Sequence, residues 1–158
     1  MAIASQATFV ARTIDTNPKH KKEIFKQAAM HNGISFVEVY QNCVIFNHNA
    51  WRDISGRDVR EERLLFLSQG KPLKFGAGGG KGLLRNNLSM EIAKVGEHGC
   101  TEEDLIVHDA SREDPSYAFQ LAELQFPEYP IAIGVFRDVD HESYESLVEK
   151  QIDAAVNT

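Results

Sequence analysis

Residues 7–40 constrain the fold more than any other part of the chain. Ala7-Thr8-Phe9-Val10-Ala11-Arg12-Thr13 is short, β-branched and aromatic, which is a strand pattern. Asn17-Pro18 then opens a helix, because Asn caps free N–H groups and Pro tolerates the first helical position. Ile24, Phe25, Ala28 and Ala29 gather on one side of residues 18–31, with Lys19, Lys21, Lys22 and Lys26 largely elsewhere. That spacing predicts an amphipathic helix. Asn32-Gly33 stops it, and Ile34-Ser35-Phe36-Val37-Glu38-Val39-Tyr40 is the next strand. Two strands joined by a helix of this length make a parallel βαβ unit with a right-handed crossover. An α/β fold follows.

The remaining pieces are shorter. Residues 47–61 are polar around a lone Trp51 and are expected to hold a short helix. Residues 63–67 and 72–75 flank Ser68-Gln69-Gly70-Lys71, which predicts a hairpin. A glycine cluster follows, Gly76-Ala77-Gly78-Gly79-Gly80-Lys81-Gly82. Residues 88–95 read as a strand, and 106–108 as an extended stretch. Thr101, with Asp104 three residues on, marks a helix start. Residues 115–125 predict a helix that Phe126-Pro127 ends. Residues 130–137 read as a buried strand with Pro at its start, and a last helix carries Leu147, Val148 and Ile152. At 158 residues the chain is one domain by length, able to bury a core without disulfide or metal.

Composition excludes some function classes. A net charge of −6 argues against a nucleic-acid partner, since phosphate contacts need Lys and Arg. No apolar run approaches the roughly 20 residues of a membrane span, and the first residues lack the basic start of a signal peptide. Cys43 and Cys100 form no CxxC, which fits a reducing, cytoplasmic setting.

Candidate chemistry is sparse. A Walker A loop needs four residues between Gly and Gly-Lys, then Ser or Thr. Here Gly76 and Gly80 have three residues between them, and Gly82 follows Lys81. The cluster therefore reads as a flexible loop before it reads as a nucleotide site. His20, His31, His48, His98, His108 and His141 show no zinc-like spacing. Glu102, Glu103 and Asp104 suit a helix N-terminus. Cys43 stands just past a strand end, where parallel sheets place ligands. The residues alone leave it either a small buried hydrophobe or a site residue.

Taken together, Ala7-Thr8-Phe9-Val10-Ala11-Arg12, Asn17-Pro18-Lys19-His20, Gly33-Ile34-Ser35-Phe36-Val37-Glu38-Val39 and Cys43-Val44-Ile45-Phe46-Asn47 occur in an order that resembles the β subunit of the 2-oxoacid:ferredoxin oxidoreductases. Gly70-Lys71-Pro72-Leu73-Lys74-Phe75-Gly76, Glu103-Asp104-Leu105-Ile106-Val107-His108-Asp109 and Pro130-Ile131-Ala132-Ile133-Gly134-Val135-Phe136-Arg137 resemble that subunit's C-terminal extension. The resemblance implies the C-terminal half of a thiamine-diphosphate-binding fold over residues 1–47, and a mixed α+β extension over residues 48–158. Enzymes of this family decarboxylate a 2-oxoacid on thiamine diphosphate with Mg²⁺, pass electrons through [4Fe–4S] clusters to ferredoxin, and release acyl-CoA. By that resemblance Cys43 corresponds to the fourth cluster ligand, while Cys100 has no counterpart and is structural. No catalytic residue is carried over.

Several features depart from the family pattern. Asn42 and Ile45 stand where the family has Pro before the cysteine and Thr two residues after it. The glycine cluster replaces a more charged loop. The thiamine motif, Gly-Asp-Gly with a later Asn, does not occur, and neither do three further cluster cysteines. The expected partners are thus the N-terminal half of the β subunit, an α subunit, ferredoxin, and the 2-oxoacid and CoA substrates, with 2-oxoglutarate favoured. No cofactor is expected on this chain alone. Two alternatives stand beside this: an inactive remnant that binds a partner chain, and a nucleotide-binding module built on the glycine loop.

Overall fold

The computed structural model describes residues 1–87 and 89–157. β1 (Phe9–Ile14), α1 (Pro18–Met30) and β2 (Ser35–Tyr40) form the expected βαβ unit. β1 and β2 are parallel in unbroken register, from Phe9 opposite Ser35 to Ile14 opposite Tyr40. The Asn17 side chain accepts the His20 N–H at 3.2 Å, and Pro18 fills the first helical position. Ile24 of α1 is buried against Phe9 and Ala11, with Ala28, Val37 and Val135 around them.

A mixed four-stranded sheet runs in the order β2-β1-β7-β3. β7 (Ile131–Asp138) lies antiparallel to β1 and parallel to β3 (Leu64–Phe66). Residues on both sides of position 47 therefore build one sheet. β7 is central, and its first seven residues are buried or half-buried. The other face of this sheet carries the main core, where Tyr117, Ala118 and Leu121 of α4 (Ser116–Ala122) meet Val10, Leu65, Ala132 and Phe136. Ile3 and Ala7 of the N-terminal turn join them.

The predicted hairpin does not form. Lys71 N–H does bond Ser68 C=O at 3.0 Å, so the turn exists. Yet β3 pairs with β7, while β4 (Lys74–Phe75) starts a second, antiparallel sheet with β5 (Lys81–Asn86) and β6 (Ser89–Lys94). Leu65 has a buried parallel slot beside β7 to fill, and that burial outweighs local pairing. Of the strand expected over 88–95, position 88 lies outside the described residues. The helix start at Thr101 yields one tight turn, Glu102–Asp104, with the Asp104 carboxylate accepting the Thr101 N–H at 2.7 Å. Residues 47–61 hold α2 (Arg52–Ser55) and lead into α3 (Arg60–Arg63). α5 (Tyr144–Val156) closes the chain, and none of its residues is buried.

The extended 106–108 stretch ties the two sheets together. Leu73 N–H bonds Ile106 C=O at 2.8 Å, and His108 N–H bonds Lys71 C=O at 2.9 Å. Beyond it, Asp109 Oδ1 accepts from Ser111 Oγ at 2.6 Å and from Gln69 Nε2 at 3.0 Å, which holds its pKa at about 2. His108 itself is buried, with Nε2 2.9 Å from Val135 C=O and Nδ1 3.0 Å from Tyr117 Oη. A carbonyl only accepts, so Nε2–H donates to it and Nδ1 accepts the tyrosine hydroxyl proton. Burial lowers the His108 pKa below its ordinary 6.5, and lowers that of His20 in the same way. Below pH 6.5 the unfolded chain therefore binds more protons than the folded one. This stability is whole above 6.5 and is lost as pH falls through the folded-state values. Urea midpoints should drop between about pH 7 and about pH 5, and the drop should shrink in His108→Gln. An unchanged drop in that variant would remove His108 from the account.

The sheet has one long open edge. β2 is its outer strand, and the alternation set by Phe9 N–H to Ile34 C=O and Asp15 N–H to Tyr40 C=O turns the peptide groups of Ser35, Val37 and Val39 outward. Soluble proteins usually shorten, charge or cover such an edge. No helix among the described residues is long and apolar enough to cross a membrane.

Candidate functional site

The carboxyl ends of β1 and β2 lie side by side, and the loop carrying Cys43 leaves from there. Its first end is pinned by Asp15, whose Oδ2 accepts the Asn42 N–H at 2.9 Å. The Asn42 side chain in turn accepts the Asn49 N–H at 2.6 Å. The far end is pinned by Trp51, stacked on Tyr40 with centroids 3.9 Å apart and planes 8° from parallel. Arg12 covers Tyr40 with its guanidinium carbon 5.0 Å from the ring centroid, and its Nε bonds Glu38 at 2.6 Å. A column of Arg12, Tyr40 and Trp51 thus fixes the loop against the sheet.

Between the two pins the loop projects outward. Cys43 is exposed. Backbone hydrogen bonding from Phe46, then Ile45 and Asn47, draws its pKa below the ordinary 9.0. Asn47 N–H also closes the turn onto Cys43 C=O at 2.9 Å. Such donors favour the charged form of a thiol. The neighbouring side chains do not suit bulk water: Val44, Ile45 and Phe46 are 71%, 87% and 90% exposed. Three consecutive apolar residues left this open form an exposed apolar patch beside the thiol. Behind the loop lies a cavity of about 360 Å³ lined by Asp15, Asn42, Asn49, Trp51, Arg52 and Arg57. Asp15 Oδ1 is buried there without a partner.

Other sequence candidates fall elsewhere. Cys100 is half-buried, and among the described residues its thiol donates to Thr101 C=O at 3.7 Å. The glycine cluster binds the chain's own carboxylate. Ala77 N–H donates to Glu62 Oε1 at 2.8 Å, and Lys81 Nζ reaches Glu62 Oε2 at 2.7 Å. Gly76, Gly78 and Gly79 take positive φ to make that turn. Its anion-binding capacity is therefore filled from α3, and it acts as a latch between α3 and β5. Among the described residues no group of three or more His, Cys, Asp or Glu could hold a metal ion. Sequence reasoning missed Asp15 and the Tyr40–Trp51 stack; their only signal was position, one past a strand and one within a polar stretch.

The site is thus an α/β unit with an exposed thiol on a pinned loop at the carboxyl edge of its parallel strands. The chain is 34% identical, over 99% of its length, to the 2-oxoglutarate oxidoreductase subunit KorB of Mycobacterium tuberculosis, and spans 42% of that protein. It is 47% identical over 67 residues to a 2-oxoacid:ferredoxin oxidoreductase β subunit of Aeropyrum pernix, covering 20% of it. It is 36% identical over 69 residues to that of Saccharolobus solfataricus, covering 21%. No family model and no solved structure matches. The chain is homologous to the β subunits of 2-oxoacid:ferredoxin oxidoreductases, and corresponds to the C-terminal part of those longer proteins.

Proposed function

We propose that the chain supplies one [4Fe–4S] ligand, Cys43, and the closing part of the thiamine-binding half to a 2-oxoacid:ferredoxin oxidoreductase. The assembled reaction converts a 2-oxoacid anion, CoA and two oxidised ferredoxins into acyl-CoA, CO₂, two reduced ferredoxins and a proton, with 2-oxoglutarate as the 2-oxoacid. The observation that carries this reading is the Cys43 thiol, exposed on a loop pinned by Asp15 and by the Tyr40–Trp51 stack. Hydrogen bonds to sulfur are one of the means by which proteins tune such clusters. The remaining thiolates, Mg²⁺ and the diphosphate would be held by another polypeptide segment. The unpaired edge of β2 and the bare Val44-Ile45-Phe46 surface give that segment a place to dock. The name of the Mycobacterium tuberculosis relative supports 2-oxoglutarate.

The chain should be co-expressed with an α subunit and a polypeptide carrying the CxxC and Gly-Asp-Gly motifs. Ferredoxin reduction dependent on 2-oxoglutarate, CoA and this chain is the expected result. The chain alone, reconstituted anaerobically with iron and sulfide, should show no cluster absorbance. A stoichiometric [4Fe–4S] signal on the chain alone would overturn the reading. The open β2 edge also suits a second reading, a non-catalytic partner-binding module. Stable assembly without any 2-oxoacid-dependent turnover would favour it.

A further inference from the structure

Two helices of this chain carry uncovered apolar faces of opposite charge. α5 presents Tyr144, Leu147, Ile152 and Val156 at 72%, 44%, 55% and 77% exposure. With half-buried Val148 between them, Tyr144, Ile152 and Val156 follow an i, i+4 row and Leu147 lies one turn from Tyr144, so they share one broad face. Glu145, Glu149 and Asp153 run beside it. α1 buries Ile24 against the sheet and leaves its outer face open, with Phe25 at 48% and Met30 at 76% exposure. Lys22 and Lys26 lie on that outer face, one turn from each other and next to Phe25. None of Lys22, Lys26, Glu145, Glu149 and Asp153 makes an ion pair among the described residues. The helices have the same length, 13 residues each. Each supplies what the other lacks.

We propose that α5 docks on α1 of a second copy of this chain, and that the contact is reciprocal about a two-fold axis. The chain's own α1 is near at hand: Asp138, at the end of β7, bonds His31 just past α1 at 3.0 Å. Even so, α5 does not lie on it, and both stripes stay bare in the same molecule. Exchange between two copies covers both stripes twice over and matches acid to base at each contact. A closed two-fold pair is also the commonest arrangement for soluble oligomers. This interface is remote from Cys43 in its chemistry, so its failure and the failure of the cluster assignment are separate results.

The test is the mass of the full 158-residue chain in solution, by sedimentation or light scattering, at low and at high salt. A dimer that weakens about tenfold or more as salt rises from about 0.05 M to about 0.5 M is expected, because exposed charge pairs are screened over that range. Lys22→Glu with Lys26→Glu should give monomer, and so should Glu145→Lys with Glu149→Lys. All four substitutions together should restore the dimer, since the charges are then exchanged. These side chains are exposed, so circular dichroism should show each variant folded. A monomeric native chain at about 100 μM would overturn the proposal; so would a dimer indifferent to the reversals, or failure of the fourfold variant to recover. Native monomer with salt-sensitive protection of α5 would mean docking within one chain, and equally overturns it.

Discussion

Gly134→Ala should destabilise the fold by about 3–5 kcal/mol. Gly134 sits inside β7, the strand flanked by β1 and β3, with φ of +134°. A side chain there costs about 1–3 kcal/mol in backbone strain alone. The added Cβ would also lie 2.8 Å from both Cβ and the carbonyl oxygen of Leu67, and 3.2 Å from its nitrogen. Backbone cannot swing aside as a flexible side chain can. Leu67 N–H is moreover held by Ile133 C=O at 2.8 Å. Relief would therefore require parting β3 from β7. Nearby, the β1–β7 register shifts between Val10 and Ala11, so this part of the sheet has little slack. Gly96→Ala is the control: φ there is +87°, yet nothing lies within 4 Å of the new Cβ. It should cost about 1–2 kcal/mol. Urea unfolding of both variants measures the difference. A Gly134→Ala variant no worse than Gly96→Ala would mean that the close passage of Leu67 is absent in solution.

That glycine also shows how the sequence was and was not readable. The 130–137 segment announced a buried strand through its apolar run, and β7 is that strand. Nothing in the run said that Gly134 takes positive φ, because the demand comes from Leu67, far away in sequence. The βαβ unit was legible because its signals are local: an Asn-Pro start, a helical apolar spacing, a Gly stop. The hairpin reading of 63–75 failed for the opposite reason. Its turn is real, but partner choice was decided by a slot beside β7 that the two segments cannot reveal by themselves. α5 was legible as a helix, whereas its exposure was not, since a stripe of Leu147 and Ile152 reads alike whether or not something covers it.

The candidate site followed the same rule. Cys43 stood out by its place after a strand, and its resemblance gave it a role. Its equipment, the backbone hydrogen bonding and the pins at Asp15 and Trp51, depends on loop geometry. The structure also gives the Asn42 departure a physical reading. Proline at that position could not donate to Asp15, whereas Asn42 does, and its amide holds Asn49 besides. The loop is thus pinned by different bonds from those a proline would allow.

In the assembled enzyme, Cys43→Ser should lower ferredoxin reduction at least about tenfold and strip or weaken one cluster, while Cys100→Ser should leave both within about twofold. The contrast rests on surroundings. Both residues are thiols on the same chain, so a general need for sulfur would affect both. Cys43 is exposed on a pinned loop, and backbone hydrogen bonding from Phe46, Ile45 and Asn47 draws its pKa down, whereas Cys100 is half-buried. A serine oxygen at that position would keep the hydrogen bonds but offer a poorer ligand to iron, so cluster loss should exceed any loss of folding. The isolated chain provides an independent check. Its Cys43 thiolate is exposed and stabilised, so alkylation by iodoacetamide should proceed several-fold faster at Cys43 than at Cys100, which is half-buried. In the assembled enzyme the order should invert, because iron would occupy the Cys43 sulfur and Val44, Ile45 and Phe46 would be covered. Equal loss of cluster in the two serine variants, or a Cys43 that alkylates as fast in the complex as alone, would show that this sulfur holds no iron.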